Sequence, residues 1–400
     1  MRRVVKVSRI RIIITIIVVV LTTLLTGCTG KEPNEIAYVV ALGIDSTDDD
    51  NYKITIQYAN TTQISGGASE SGGKAGSEIV DNVTIEAPNI YAGVGLANNI
   101  VSKSFSMSHA KLIVFSKEVA EKGVKDMIET LVRSEEIRPD VFIAVANTTA
   151  NDYLTSVNPE MEVNPAQYYQ LIYQKNQLVG IPDGQLREFF TGLYTDNYDS
   201  ILPVAGVIEG SGGNSQNDDK GQSKDSQNEG SEGSSESLDS FESKNSDENE
   251  KEKDAEKNTS KYEYDIKNYV GGETAIEKKN KAEAIGAAVF EKDKMVGELG
   301  EVETEICKML KGDYTYSYLT YYNNDTPDIP ITVKTTQQKK PKYKIDTDKK
   351  TVDIELYIES DLYSLPADYN VENKIEDFER DVANYTSSTC TCLLYTSPSP

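Results

Sequence analysis

Ala110-Lys111-Leu112-Ile113-Val114-Phe115 and, after a helical pattern, Val141-Phe142-Ile143-Ala144-Val145-Ala146 are two apolar runs of the kind that form strands covered on both faces. Between them Val124, Ile128, Leu131 and Val132 fall on one helical face, and Pro139 ends that element. The stretch predicts a strand-helix-strand unit, so the chain is read as mixed α/β rather than all-helical or all-strand.

Working outward, Ile36 to Ile44 is another continuous apolar run, while Tyr52, Ile54, Ile56 and Tyr58 alternate with polar residues. They predict two strands joined by the acidic turn Asp45 to Asn51. Ser65 to Gly76 is a Gly/Ser loop. Asn89 to Ser102 carries Ile90, Val94, Ala97 and Val101 at helical spacing, and helices are expected over Pro165 to Leu178 and Gly184 to Leu193.

From Glu209 to about Ser260 the chain is almost entirely Gly, Ser, Asn, Gln, Asp, Glu and Lys, with Leu238 and Phe241 the only large apolar residues. Such a segment buries too little surface to offset chain entropy, so it is expected to be a disordered acidic insert. Ile201 to Ile208 and Ala284 to Glu291 read as strands on its two sides. Because loop closure costs only about 0.6 kcal/mol per doubling of length, the two are expected to pair, with the insert in their connection; a plain interdomain linker is the competing reading.

Beyond it, Ala284 to Phe290 and Lys294 to Leu299 form a hairpin pattern around Lys292-Asp293, and Glu301 to Leu310 reads as a helix. Tyr314 to Tyr322, Ile329 to Lys334 and Val352 to Ile358 read as strands. Val371 to Asn384 begins an amphipathic helix on Ile375, Phe378 and Val382. From Thr389 to Pro400 the residues continue neither that helix nor a strand, so 387–400 is read as a non-native tail. The expected fold is α+β, with several mixed α/β domains built on small, mostly antiparallel or mixed sheets. The expected division is a leader at 1–27, an N-terminal domain at 28–200, a small middle domain at 201–208 and 261–312, the insert at 209–260 and an incomplete C-terminal domain at 313–386.

The leader fixes the expected location. Arg2, Arg3, Lys6, Arg9 and Arg11 precede an apolar run from Ile12 that closes on Leu25-Thr26-Gly27-Cys28. A transmembrane anchor needs about 20 apolar residues, and this run is shorter and interrupted by Thr15, Thr22 and Thr23. The ending resembles a bacterial lipobox, which implies a diacylglyceryl thioether on Cys28 as the first mature residue. Lys and Arg number 41 against 65 Asp and Glu, a net charge of −24; losing residues 1–27 removes five positive charges, leaving −29. A chain this acidic is repelled by phosphate and anionic headgroups, which argues against nucleic acid and leaves the lipid as the expected membrane contact.

Catalytic chemistry has few candidates. His109 is the only histidine; besides Cys28 there are Cys307, Cys390 and Cys392, so no zinc site is expected and no metal or cofactor is assigned. No phosphate loop or Gly-x-Ser-x-Gly elbow occurs, and Asp48-Asp49-Asp50 lacks the spacing of a calcium loop. His109 and Lys111, at the entry of a predicted buried strand, read as capping or ordering a loop, with action on a substrate as the alternative. Arg133, Glu136, Arg138 and Pro139 form either a partner-facing patch or a helix-to-strand turn held by ion pairs. Gly286 and Gly297 bracket the second hairpin and are expected to serve backbone geometry. The tyrosine-rich stretches Tyr168, Tyr169, Tyr173 and Tyr314 to Tyr322 read as binding surface or as the edge of half-buried sheets and helices.

Three stretches together resemble the Ger(x)C family of spore germination lipoproteins, the C subunits of nutrient-germinant receptors. They are Cys28 with Asn34-Glu35-Ile36-Ala37 and Gly43-Ile44-Asp45; His109 to Phe115 with Ala120, Gly123, Arg133, Glu136, Ile137, Arg138 and Pro139; and Gly286 to Phe290 with Lys292 to Leu299 and Glu303-Thr304. The acidic insert departs from the family pattern, and the family's closing helix and strand are missing where the tail stands. The resemblance implies a non-enzymatic subunit with several α/β domains and no catalytic residues. It also implies a place on the outer face of the spore inner membrane, beside a multi-spanning A-type and a transporter-like B-type subunit. A solute-binding lipoprotein of an uptake system is the alternative that shares the anchor.

Overall fold

The computed structural model describes residues 14–17, 36–49, 51–60, 80–159, 161–162, 164–174, 180–208, 268–274, 280–323, 326–364 and 375–396. The lipobox Leu25 to Cys28, the Gly/Ser loop and the insert at 209–260 lie outside them.

The first part is a mixed sheet. Its strands are β1 (Ile36–Ser46), β2 (Tyr52–Ala59), β3 (Val80–Ala87), β4 (Ser104–Ser106), β5 (Leu112–Ser116), β6 (Phe142–Ala146), β7 (Ser200–Val207), β8 (Ala282–Glu291) and β9 (Lys294–Leu299). The order across the sheet is β3-β2-β1-β5-β6-β7-β8-β9, with β4 added to β1. β1, β5, β6 and β7 run parallel, and antiparallel hairpins close both edges.

Helices cover both faces, which is why the parallel strands read as unbroken apolar runs. On β5, Ile113 and Phe115 join one core cluster with the helices α1 (Ile90–Ala97), α2 (Lys117–Lys122), α3 (Lys125–Val132) and α6 (Leu186–Leu193). Leu112 and Val114 point the other way, into a cluster under α4 (Ala150–Ser156) and α5 (Pro165–Gln174). Each fully buried large side chain here contributes about 1.5–3 kcal/mol.

The second part is the antiparallel sheet β10-β11-β12, of Tyr316–Asn323, Thr326–Asp346 and Thr351–Ser364. Helix α8 (Ile375–Thr396) packs on it through Phe378, Val382 and Tyr385 against Leu319, Tyr321, Ile331 and Val333. Helix α7 (Glu301–Lys311) joins the two parts; the Glu303 carboxylate accepts from the Gly300 N–H at 2.9 Å and closes its N-terminus.

The fold is α+β, and the strands flanking the insert do pair: Val207 lies opposite Ala282, so the chain leaves and re-enters the sheet at adjacent points. Three expectations are corrected. β7, β8 and β9 do not form a separate middle domain on a small sheet; they extend the N-terminal sheet, because Val145 and Ala146 of β6 pair with Val204 and Ala205 of β7. The helical pattern does not stop at Asn384. It continues through residues 387–396, where Cys390 and Leu393 pack against Ile306, Met309 and Tyr314. The helix expected over Asn89 to Ser102 ends at Ala97, and the chain turns into β4 and a single 3-10 turn at Met107–His109.

Candidate functional site

Two ends of the parallel strands were open to carry function. At their C-terminal ends, where open α/β sheets usually bind ligands, the chain fills the space itself. The Asp45 carboxylate accepts the Ala150 N–H at 2.6 Å and the Asn151 N–H at 3.1 Å, fastening α4. Burial pushes its pKa up, against the pull of those two donors. Gly43 permits the contact, since a Cβ there would lie 3.0 Å from Leu154 and 3.1 Å from Ala150. Beside it, residues 268–272 cross the end of β7 so closely that a Cβ on Gly206 would stand 1.9 Å from the Gly271 carbonyl carbon. The Gly43-Ile44-Asp45 stretch is therefore a seat for a helix. Sequence reading had no signal for Asn151 or Gly271 as its neighbours.

At the N-terminal ends the structure gathers the sequence-selected polar residues. Met107 to His109 form the 3-10 turn that leads into β5, and the Glu136 carboxylate accepts the Met107 N–H at 2.7 Å. His109 is exposed; its ring meets Tyr38 edge-on at 4.8 Å, and Nδ1 lies 3.0 Å from Ser108 Oγ. Lys111 acts through its backbone, donating to Val40 O and accepting from Phe142 N. Arg138 and Pro139 likewise offer carbonyls to Val141 N and Arg187 N, so they build the turn. Arg133 is exposed on α3's C-terminal cap and pairs with Glu129 at 2.9 Å. The Tyr194 hydroxyl and Arg133 together hold the Glu129 carboxyl below its usual range. Arg133 and Glu136 line a shallow groove of about 490 Å³ with Tyr91, Val94, Phe105 and Met107.

The two glycines differ. Gly286 has φ +83, and a Cβ there would meet Leu299 O at 2.7 Å. Gly297 faces open space, and a Cβ there would touch nothing within 4 Å. Tyr169 and Tyr173 are not a binding surface. They are fully buried, with Tyr173 OH 3.0 Å from Tyr153 OH and Tyr169 OH donating to Gln57 Oε1 at 2.5 Å. Val132 is exposed and leaves the face shared by Ile128 and Leu131.

Arg133 and Glu136 border a groove with an apolar floor of Val94, Phe105 and Met107, and His109 is not among its lining residues. Among the described residues no group of three His, Cys, Asp or Glu side chains is placed to hold a metal ion. No described helix is long and apolar enough to cross a membrane. Burial raises the thiol pKa of Cys390 to about 11 and also pushes Cys307 up, which leaves neither a ready thiolate.

Two family models match in succession: the spore germination protein N-terminal domain over residues 30–207, and the spore germination B3/GerAC-like C-terminal domain over residues 285–397. Spore germination protein KC of Bacillus subtilis (strain 168) is 26% identical over 174 residues, 40% of this chain and 42% of that protein. Spore germination protein B3 of the same organism is 26% identical over 148 residues, 34% of this chain and 36% of that protein. The matched stretches thus span less than half the length of these relatives. The crystal structure of the GerBC protein superposes with a TM-score of 0.42 at 14% identity, covering 88% of this chain and 80% of that one.

Proposed function

Because the chain belongs to the spore germination GerAC family, we propose that it is a non-enzymatic subunit of a nutrient-germinant receptor, tethered by a diacylglyceryl group on Cys28 to the outer face of the spore inner membrane. The observation that carries this reading is the succession of both family domains behind a Leu25-Thr26-Gly27-Cys28 ending. Two or more acyl chains anchor stably, since each buried methylene contributes about 0.8 kcal/mol. Confinement to the membrane plane raises the effective concentration of the folded parts at their partners. Those partners are the multi-spanning A-type and transporter-like B-type subunits. The exposed groups His109 and Arg133 face them, while Glu136, Arg138 and Pro139 hold the turn that presents both. No metal or cofactor beyond the lipid has a role, and nucleic acid has none.

Affinity purification of the tagged protein from detergent-solubilised spore membranes tests this reading. The expected result is recovery of two integral membrane proteins with it. Elution alone, together with tight calorimetric binding of a small solute by the isolated subunit, would instead mark a solute-binding lipoprotein.

A further inference from the structure

The joint between the two parts holds a cavity that the receptor reading leaves without a role. It measures about 300 Å³, at the small end of ligand sites, and lies beside the start of β7. One wall comes from the first part, where Asp183 stands in the turn before α6 and Glu188 in the first turn of that helix. The opposite wall is α7, whose last turn carries Lys308 and Lys311, three residues apart and so on one face. Asp313 follows directly, and the buried side chains of Phe189 and Leu202 supply apolar lining. Lys308 is only 6% exposed; burial pulls its amine down to about 8, although Glu305 and Asp313 favour the charged form. The Asp183 carboxyl is pushed up by burial and by the Glu188 carboxylate, against the Gln185 N–H that it accepts and against Arg187, while Asp313 adds to the rise. At the surface Lys311 places its Nζ 5.2 Å from the centroid of the Tyr198 ring, and Glu188 pairs with Arg187 at 3.6 Å. One wall thus crowds carboxylates together, and the other holds an ammonium largely cut off from water.

We propose that this cavity binds a small zwitterion of the α-amino-acid type, its carboxylate toward Lys308 and Lys311, its ammonium toward Asp183, Glu188 and Asp313, and an apolar side chain against Phe189 and Leu202. Opposed walls of opposite sign select a ligand that carries both charges in one small molecule. A simple anion leaves the three carboxylates crowded, and a simple cation leaves Lys308 as it is. The ligand touches the first part and α7 at once, so occupancy steadies the joint between the mixed sheet and the three-stranded sheet. This site goes beyond the receptor-subunit reading and does not rest on it.

Titration calorimetry of the whole protein in detergent tests the site with L-valine, L-leucine and two single-charge analogues of valine. Isovalerate lacks the ammonium, and isobutylamine lacks the carboxylate. The expected result is binding of the amino acids, with each analogue weaker by about tenfold or more, the loss expected for one hydrogen bond to a charged group. Asp183→Asn and Lys311→Gln change exposed positions, so the fold is kept, and each should weaken valine by a similar factor. No binding of either amino acid would overturn the proposal. So would an analogue that binds as tightly as valine, since isovalerate would mark an anion site and isobutylamine a cation site. Valine binding that is unchanged in both variants would place the ligand elsewhere and overturn it too. Recovery of the two membrane proteins, scored on the same preparation, reports separately on the receptor-subunit reading.

Discussion

Replacing Glu305 by glutamine should remove a pH dependence of stability that the wild-type chain carries between about pH 4.5 and 7. Glu305 sits on α7, buried where that helix meets β10. Its carboxylate accepts from Ser317 Oγ at 2.8 Å, and Ser317 Oγ lies 2.6 Å from Tyr314 OH. Burial pushes its pKa up from 4.5 to about 7, opposed by Ser317, assisted by Glu301 and again opposed by Lys308. In this interval the native state keeps a proton that the unfolded chain has released. Stability therefore falls as pH rises from 4.5 to 7 and is level above, a loss of about 3 kcal/mol at about 1.4 kcal/mol per unit. The amide introduced by Glu305→Gln cannot ionise, so the loss disappears. Its nitrogen needs a partner and costs on the order of 1 kcal/mol at every pH, so the decisive quantity is the slope. Urea unfolding at about pH 5 and about pH 7.5 measures it, in a range where Lys308, pulled down to about 8 by its own burial, stays mostly charged. Stability profiles of equal slope in the two proteins would refute the reasoning.

Other substitutions separate structural from surface roles. Asp45→Ala leaves the Ala150 and Asn151 N–H groups unpaired at the start of α4 and should cost about 2–4 kcal/mol in urea unfolding. Gly286→Ala, at φ +83 with Leu299 O 2.7 Å from the new methyl, should cost about 2 kcal/mol or more, whereas Gly297→Ala should stay within about 0.5 kcal/mol. Glu136→Ala frees the Met107 N–H and should cost about 1 kcal/mol. Arg133→Glu breaks an exposed ion pair and an exposed bond from Nε to the Glu129 carbonyl, so its urea midpoint should move little while its recovery with the membrane subunits falls.

The strands were the legible part of the fold, and their assembly was not. Continuous apolar runs such as Leu112 to Phe115 announce a strand covered on both faces. Nothing in Ile201 to Ile208 says which strand lies beside it, so the join of β6 to β7 was invisible and one sheet was read as two domains. Val80 to Ala87 carries a weak strand signal because it is an edge strand, in which the polar residues Asp81, Asn82, Thr84 and Glu86 outnumber the apolar Val83 and Ile85 between its ends. Short α4 was missed because its stability comes from the Asp45 carboxylate, distant in sequence, rather than from its own seven residues. The polar cluster at His109 and Glu136 was legible as a group. The division of labour within it was not, because Lys111, Arg138 and Pro139 act through backbone atoms that every residue type possesses.

Membrane fractionation of spores carrying Cys28→Ala, scored beside nutrient germination, tests the central claim most directly. The account predicts that the variant leaves the inner-membrane fraction or falls sharply within it, and that these spores fail to respond to nutrients. Soluble variant protein in spores that germinate normally would contradict it.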